Sequence, residues 1–316
     1  MPNTSKKNPT RSSSKAKKSS AKKVALPGVF TFSKTVFETL NTYQSLFLRY
    51  TAFLLVGSLL LSGFATYAYY VGLTQATDEV AGSLPFGAFR NVVETVALTV
   101  SVVSGSASTT FTEAQHIFLG ILYLVAWLMA LWLLRHLLSG NSVRLRDGIY
   151  NAASPLISSC LVVLAGIVQL LPLALVVSLV ATIASTGAVN GLLWVLLGIA
   201  VVVLFTALTL YWLAGTAFAA VIVTLPGTYP WAALRSARQV IAGYRRLVVL
   251  RLLWLGVLAA IAMFVLVAPV VLIDSLMGYK LSALVVLAYY LASAGVFLYA
   301  SAYVYLLYRG VIDERG

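Results

Sequence analysis

Polar residues inside long apolar runs are the first candidates for chemistry in this sequence. Gln169 and Pro172 interrupt one such run, and Pro269 interrupts a later one. A proline inside a helix frees a backbone carbonyl that a polar partner can use, and interrupted spans mark the binding sites of some transporters. Gln169, Pro172 and Pro269 therefore form a candidate transport site. Two packing kinks are the competing interpretation, because the prolines fall at different distances from the amphipathic segments that precede them.

Residues that could catalyse a reaction or ligate a metal are few and separated. His116 and His136 fall at opposite ends of one apolar run, so they cannot share a metal ion. Cys160 is the only cysteine and lies within another run, where we expect it to act as a small apolar residue. Asp274 ends a later run, and we expect it to be solvated. We predict no catalytic residue, no metal site, no cofactor and no enzymatic activity.

Composition indicates a membrane protein. Hydrophobic residues make up 60% of the 316, and charged residues make up 10%, against ~25% in soluble domains. Six apolar runs are long enough to cross a bilayer, at about residues 50–70, 116–138, 156–183, 192–225, 247–273 and 282–308. The sequence therefore predicts an all-α integral membrane six-helix bundle over residues 27–310.

Segments outside these runs are polar or short. Residues 1–26 are rich in lysine and serine, and we expect a disordered basic tail that enforces topology and contacts anionic lipid. Residues 71–115 form a long acidic outer loop. Within it, residues 91–103 are apolar but too short to span, so they lie in the interface or pack on the bundle. Residues 311–316 are a short C-terminal tail.

A basic amphipathic segment precedes the fifth run. Trp231, Leu234, Ala237 and Ile241 share one helical face, and arginines occupy the opposite face and its margins. This pattern is typical of a helix lying in a membrane interface. Similar segments precede the first and third runs, which predicts three parallel helix–span–span repeats. The membrane-interface residues we predict are Trp231, Arg235, Arg238, Arg245, Arg246, Arg144 and Arg146.

Positive charge is distributed unequally between the two sides of these spans. Twenty of the 22 lysines and arginines fall on the side of the N-terminus, and Arg90 and Lys280 are the two on the other side. Positive charge stays in the cytoplasm, so we expect a cytoplasmic-membrane protein with both termini cytoplasmic.

The apolar run ending at Val221–Gly227, the Trp231–Ser236 segment and Ile241–Tyr244 resemble a polytopic bacterial family. This family is the membrane domain found beside some glycerophosphodiester phosphodiesterases, together with its stand-alone relatives. Residues 145–156 are similar to a diverged second copy. The resemblance implies a six-helix membrane module. In that family the phosphodiesterase activity belongs to a separate soluble barrel, and only seven residues follow Arg309 here, so we do not carry the activity over.

These observations favour a non-enzymatic integral membrane module that organises the envelope or its lipids, or that scaffolds a partner. The alternative is a transporter or channel for a small or lipidic solute. The expected partners are the lipid bilayer and its anionic headgroups rather than nucleic acid. A membrane-protein partner and the oligomeric state are left open by the sequence.

Overall fold

The computed structural model describes residues 27–82, 90–185 and 191–315, and within them the chain is helical with no strand. The α-helices are α1 Val29–Thr42, α2 Gln44–Gly82, α3 Arg90–Val103, α4 Glu113–Leu138, α5 Leu145–Ala152, α6 Leu156–Ser185, α7 Leu192–Ile222, α8 Pro230–Ile241, α9 Arg245–Leu276 and α10 Ser282–Arg315. A short 3-10 helix, Ser106–Thr110, joins α3 to α4. The expected disordered tail, residues 1–26, lies outside the described residues.

Six of these helices, α2, α4, α6, α7, α9 and α10, are long and apolar enough to cross a membrane. This confirms the predicted all-α six-span bundle. The helices extend beyond most of the predicted apolar limits. α2, for example, remains helical to Gly82 although its first apolar run was predicted to end near residue 70. Backbone N–H and C=O groups in hydrocarbon need hydrogen bonds within the helix. A helix formed across the bilayer for this reason continues beyond the apolar run into the polar interface.

The valine-rich part of the outer loop forms α3, which packs on α9 and α2. Leu98, Thr99 and Val102 lie at helical spacing and are buried. Of the two placements left open by the sequence, α3 therefore takes the one packed on the bundle.

Three short helices, α1, α5 and α8, each precede a pair of spans, and we call them the lead-in helices. They divide the chain into unit one (α1–α4), unit two (α5–α7) and unit three (α8–α10). Each lead-in helix packs on the second span of the preceding unit: α5 on α4, α8 on α7, and α1 on α10. The contact between α1 and α10 joins the first unit to the last, so the arrangement is cyclic.

The spans follow the same cyclic order. The first span of each unit packs on the second span of the unit before it: α6 on α4, α9 on α7, and α2 on α10. The helix α10 also contacts α4 and α7, so it occupies the middle of the bundle. The repeated contacts match the three-unit layout predicted from the lead-in pattern.

The helix α1 packs on the bundle through Phe32 and Val36, which are buried, whereas Phe37 is 64% exposed. The guanidinium of Arg251 on α9 lies 4.8 Å from the centre of the Phe32 ring and donates a hydrogen bond to the carbonyl of Pro27. Arg251 is only 4% exposed. It therefore fixes the beginning of α1 against the bundle.

Asp274 corrects an expectation from the sequence, because its carboxylate is fully buried rather than solvated. Its oxygens accept hydrogen bonds from the Tyr70 hydroxyl (3.0 Å), the Leu281 backbone N–H (2.7 Å) and the Ser282 hydroxyl (3.3 Å). Ser282 begins α10, where a negative charge is favoured by the unpaired N–H groups of the first turn. One side chain thus connects α2, α9 and α10.

The turn between α9 and α10 depends on the same residue. Tyr279 has a φ of 62°, a left-handed conformation that costs an L-residue roughly 1–2 kcal/mol. The backbone carbonyl of Asp274 accepts a hydrogen bond from the Tyr279 N–H at 2.9 Å. The backbone and side chain of Asp274 therefore both hold this turn in place.

Replacing Asp274 tests this role. We expect Asp274→Ala to lower the free energy of unfolding by about 2–4 kcal/mol, because charge-assisted hydrogen bonds are lost and their donors stay buried. Thermal unfolding in detergent measures the effect. The matched control is Asp313→Ala, since Asp313 is exposed near the C-terminal end of α10. Equal melting temperatures for the Asp274→Ala and Asp313→Ala variants would contradict the structural role of Asp274.

Candidate functional site

The antiparallel spans of unit two, α6 and α7, form one wall of the candidate site. They approach closely where Gly166 faces Thr216: a Cβ added at Gly166 would lie 3.4 Å from Thr216 Cγ2. The lead-in helix α8 packs on α7 and also contacts α6. Its buried face consists of Ala233, Ala237 and Ile241, spaced four residues apart, and the two small alanine side chains allow close approach.

A cavity of about 330 Å³ lies where α6, α7, α8 and the start of α9 meet. It is lined by Gln169, Tyr211, Trp212, Gly215, Thr216, Leu234, Arg238 and Arg245. Its volume lies at the lower end of the range of small-molecule sites, about 300–1,000 Å³. Four helices, from two consecutive units, thus contribute to one pocket, which we call the arginine pocket.

Gln169 forms a hydrogen bond across the pocket wall. The Thr216 hydroxyl donates to Gln169 Oε1 at 2.8 Å. Because the amide oxygen is engaged in this way, the amide N–H groups of Gln169 remain as donors. No described residue accepts from them.

Arg245 is held in position by α7. Its guanidinium lies 4.0 Å from the centre of the Tyr211 ring, a cation–π contact worth about 0.5–2 kcal/mol. Gly215 lies beside the same guanidinium, since a Cβ added there would be in ordinary van der Waals contact with Arg245 Nη2, at 3.9 Å.

Both pocket arginines are free of acidic partners. Neither Arg238 nor Arg245 forms an ion pair or a hydrogen bond with a described residue, and the pocket lining contains no Asp or Glu. A guanidinium is planar, weakly hydrated and suited to bidentate contact with phosphate or carboxylate. The arginine pocket therefore presents two positive charges and the amide donors of Gln169.

The structure separates the three residues of the candidate transport site. Gln169 lines the arginine pocket, and Pro172 follows it within α6 without lining that pocket. Pro269 lies in α9, outside the pocket lining. Of these three residues, only Gln169 therefore belongs to the arginine pocket.

The predicted interface residues divide into two groups. Arg238 and Arg245 line the arginine pocket. The others point outward: Trp231 is 77% exposed, and the arginines at 144, 146, 235 and 246 are also exposed. Exposed basic and indole side chains on and beside the lead-in helices suit a headgroup layer.

Tyr211 and Thr216 were not identified from the sequence. Both lie in α7, which is apolar around most of its circumference, so no periodicity distinguishes the pocket side from the lipid side. His116 and His136, in contrast, lie near the two ends of α4 as predicted.

Comparisons with known proteins give no match among protein-family models, curated proteins or solved structures. The resemblance to the phosphodiesterase-associated membrane domain therefore stays a prediction.

A double-mutant cycle tests the Gln169–Thr216 hydrogen bond. We expect Gln169→Leu and Thr216→Val to be non-additive by about 0.5–1.5 kcal/mol, because each variant removes the same bond. Unfolding of the purified protein in detergent measures the coupling. Thr206→Val is the control, since the Thr206 hydroxyl donates to its own helix at Val202. Additivity of Gln169→Leu with both threonine variants would contradict the bond.

Proposed function

We propose that the protein is a non-enzymatic membrane module that binds the anionic headgroups of phospholipids in the cytoplasmic leaflet. The observation that carries this proposal is the arginine pocket, in which two unpaired arginines and the Gln169 amide donors meet at the end of the bundle occupied by α8. Basic pockets between spans on the cytoplasmic side are suited to anionic headgroups.

The chemistry of the pocket favours an anion over a cation or a neutral ligand. The charged groups of its lining are two guanidinium groups, with no carboxylate. The Tyr211 ring holds Arg245 before a ligand arrives, which reduces the entropy lost on binding. A phosphate group linked to acyl chains also matches the position of the pocket between two spans and an interfacial helix.

Orientation supports the choice of leaflet. All three lead-in helices come after an even number of spans, so they share the side of the N-terminus, which carries most of the positive charge. The positive-inside rule assigns that side to the cytoplasm. Under this assignment the arginine pocket is in contact with the inner leaflet of the cell membrane.

Transport of a lipidic solute is the alternative, and it has less support. A path for transport would join Gln169 to Pro172 and Pro269, but only Gln169 lines the arginine pocket. The middle of the bundle around α10 is filled by buried side chains, among them Leu298, Tyr303 and Leu307. Catalysis is also less well supported, since the pocket contains no nucleophile beside a general base.

Removing the arginines tests headgroup binding. We expect Arg238→Gln combined with Arg245→Gln to weaken the binding of an anionic phospholipid roughly 30-fold, taking ~1 kcal/mol for each charge. Native mass spectrometry with phosphatidylglycerol, and with phosphatidylcholine as the neutral lipid, measures the effect. Arg144→Gln combined with Arg146→Gln is the charge-matched control, because both arginines are exposed and neither lines the arginine pocket. Equal loss in the control, or equal binding of both lipids, would refute the proposal.

Thiol labelling tests the orientation. In a Cys160→Ala background, we expect Ser108→Cys to react from outside intact cells with an impermeant reagent, because Ser108 is exposed beyond the outer end of α4. Gln239→Cys, at an exposed position on α8, should react only after the membrane is permeabilised. The opposite pattern would place the arginine pocket in the outer leaflet and contradict the topology.

A further inference from the structure

A second cavity lies between the two spans of unit three. It occupies about 640 Å³ between α9 and α10, and α1 closes one end. Its lining comes from three helices: α1 contributes Ser33 and Phe37, α9 contributes residues between Leu258 and Val270, and α10 contributes residues between Ala288 and Tyr299. We call it the unit-three groove. It shares no lining residue with the arginine pocket.

The cyclic arrangement of units relates this groove to the arginine pocket. The arginine pocket lies between the spans of unit two beneath the lead-in helix of unit three, α8. The unit-three groove lies between the spans of unit three beneath the next lead-in helix in the cycle, α1. A cavity therefore lies at the equivalent position in unit two and in unit three.

Along the middle of unit one, by contrast, the spans α2 and α4 pack closely. The Tyr50 hydroxyl donates to the Ala126 carbonyl at 3.0 Å across α2 and α4. A Cβ added at Gly57 would lie 2.9 Å from Leu122 Cδ2. Two spans of one unit can therefore approach closely, so the width of the opening in unit three depends on the side chains that line it.

Small side chains keep the unit-three groove open. Ala259 and Ala262 of α9 face Ala288, Ala292 and Gly295 of α10. A Cβ added at Gly295 would meet no atom within 4 Å, so there is empty space beside the backbone. An unfilled space of this size at hydrocarbon depth loses dispersion contacts unless something enters it.

The polar groups of the groove are confined to one end and are already paired. The Tyr299 hydroxyl donates to the Ser33 carbonyl at 3.1 Å, and Trp254 Nε1 donates to Ser33 Oγ at 3.1 Å. The remaining lining is aliphatic apart from Phe37. An occupant of the groove therefore makes apolar contacts along its length, and no charged lining residue is present to select a headgroup.

The dimensions of the groove favour an extended chain over a helix. From Leu258 to Val270 the lining follows α9 for ~18 Å, at 1.5 Å per residue. A volume of about 640 Å³ over that length gives a mean cross-section of about 35 Å². A helix of about 10–12 Å diameter has a cross-section of roughly 80–110 Å², so only part of one could enter. A single extended hydrocarbon chain fits within the groove along its length.

We propose that the unit-three groove binds one acyl chain of a membrane lipid, which enters sideways from the bilayer between α9 and α10. Recognition is by shape and apolar contact, and it does not depend on the headgroup. The site is therefore separate from the headgroup site of the proposed function and would remain if that function were disproved.

Photo-crosslinking of the full-length protein tests this proposal. The probe is a phosphatidylcholine with a diazirine in one acyl chain, present in trace amount in phosphatidylcholine vesicles. Mass spectrometry of peptides locates the adducts. We expect them to concentrate on the groove lining, within residues 258–270 and 288–299, and to be sparser on the exposed lipid-facing residues of α7. A phosphatidylglycerol probe with the same chain should label equally well.

Two variants fill the groove. Gly295→Leu places its side chain in the empty space without a clash at Cβ, and Ala262→Trp fills the space from α9. We expect each to lower groove labelling roughly tenfold, the effect of losing contact with about two methylene groups. Ala260→Trp is the matched control, since Ala260 is exposed on α9 and does not line the groove. Its labelling should equal that of the unmodified chain.

Four outcomes would overturn the proposal. Labelling as dense on α7 as in the groove, or unchanged by Gly295→Leu, would show ordinary bilayer contact. Disulfide-linked dimers of Gly295→Cys in a Cys160→Ala background would show that a second copy covers the groove. Loss of groove labelling in the Arg238→Gln, Arg245→Gln variant would assign the chain to a lipid held by the arginine pocket. Unchanged labelling in that variant with reduced headgroup binding would support both proposals independently.

Discussion

Hydrocarbon does not drive apolar helices together, because lipid tails are as apolar as the leucines and valines they surround. The spans of this bundle must therefore be joined by close packing and by polar contacts that have no competing water. The Tyr290 hydroxyl on α10 lies 2.6 Å from the hydroxyls of both Ser62 and Thr66 on α2. Asp274 makes a similar connection at the end of the same helices. These few polar groups account for specificity that apolar surface alone would not provide.

The same constraint explains the different roles of the arginines. Arg251 is enclosed by α1, α9 and α10, where the Pro27 carbonyl and the Phe32 ring partly replace the water it has lost. Arg238 and Arg245 remain accessible to a ligand. Of the two, only Arg245 is positioned by a cation–π contact, with the Tyr211 ring. Burying a charge is costly unless it is paired. A closed environment therefore makes Arg251 a structural residue, whereas an open one leaves the pocket arginines available for binding.

The sequence predicts the number of spans and the lead-in helices well, because both depend on local length and periodicity. It does not predict which face of a span is buried. Asp274 was expected in solvent, yet it lies at helical spacing from Val267 and Val271, which are buried on α9. Arg251 stands in the same relation to the buried residues Val248 and Leu255. This spacing is consistent with burial of Asp274 and Arg251. It does not identify the buried face from the sequence, because almost every residue around the helix is hydrophobic.

The arginine pocket was only partly predictable for a related reason. Arg238, Arg245 and Gln169 were identified as polar residues near or within apolar runs, but they are far apart in sequence. Their convergence depends on how α8 and the start of α9 pack against unit two, which is a tertiary property. The contact of Tyr211 with the Arg245 guanidinium depends on the same packing and has no local sequence pattern.

Each lead-in helix packs on the unit before it rather than on the spans that follow it, and this interlocks the chain. Cutting between units two and three would leave α7 without the helix that covers it and α8 without its support. Cutting after α4 would separate α5 from the surface it buries. No single helix–span–span unit is therefore a self-sufficient domain, although the chain is built from three of them. The contact between α1 and α10 also makes the first and last described helices neighbours in space.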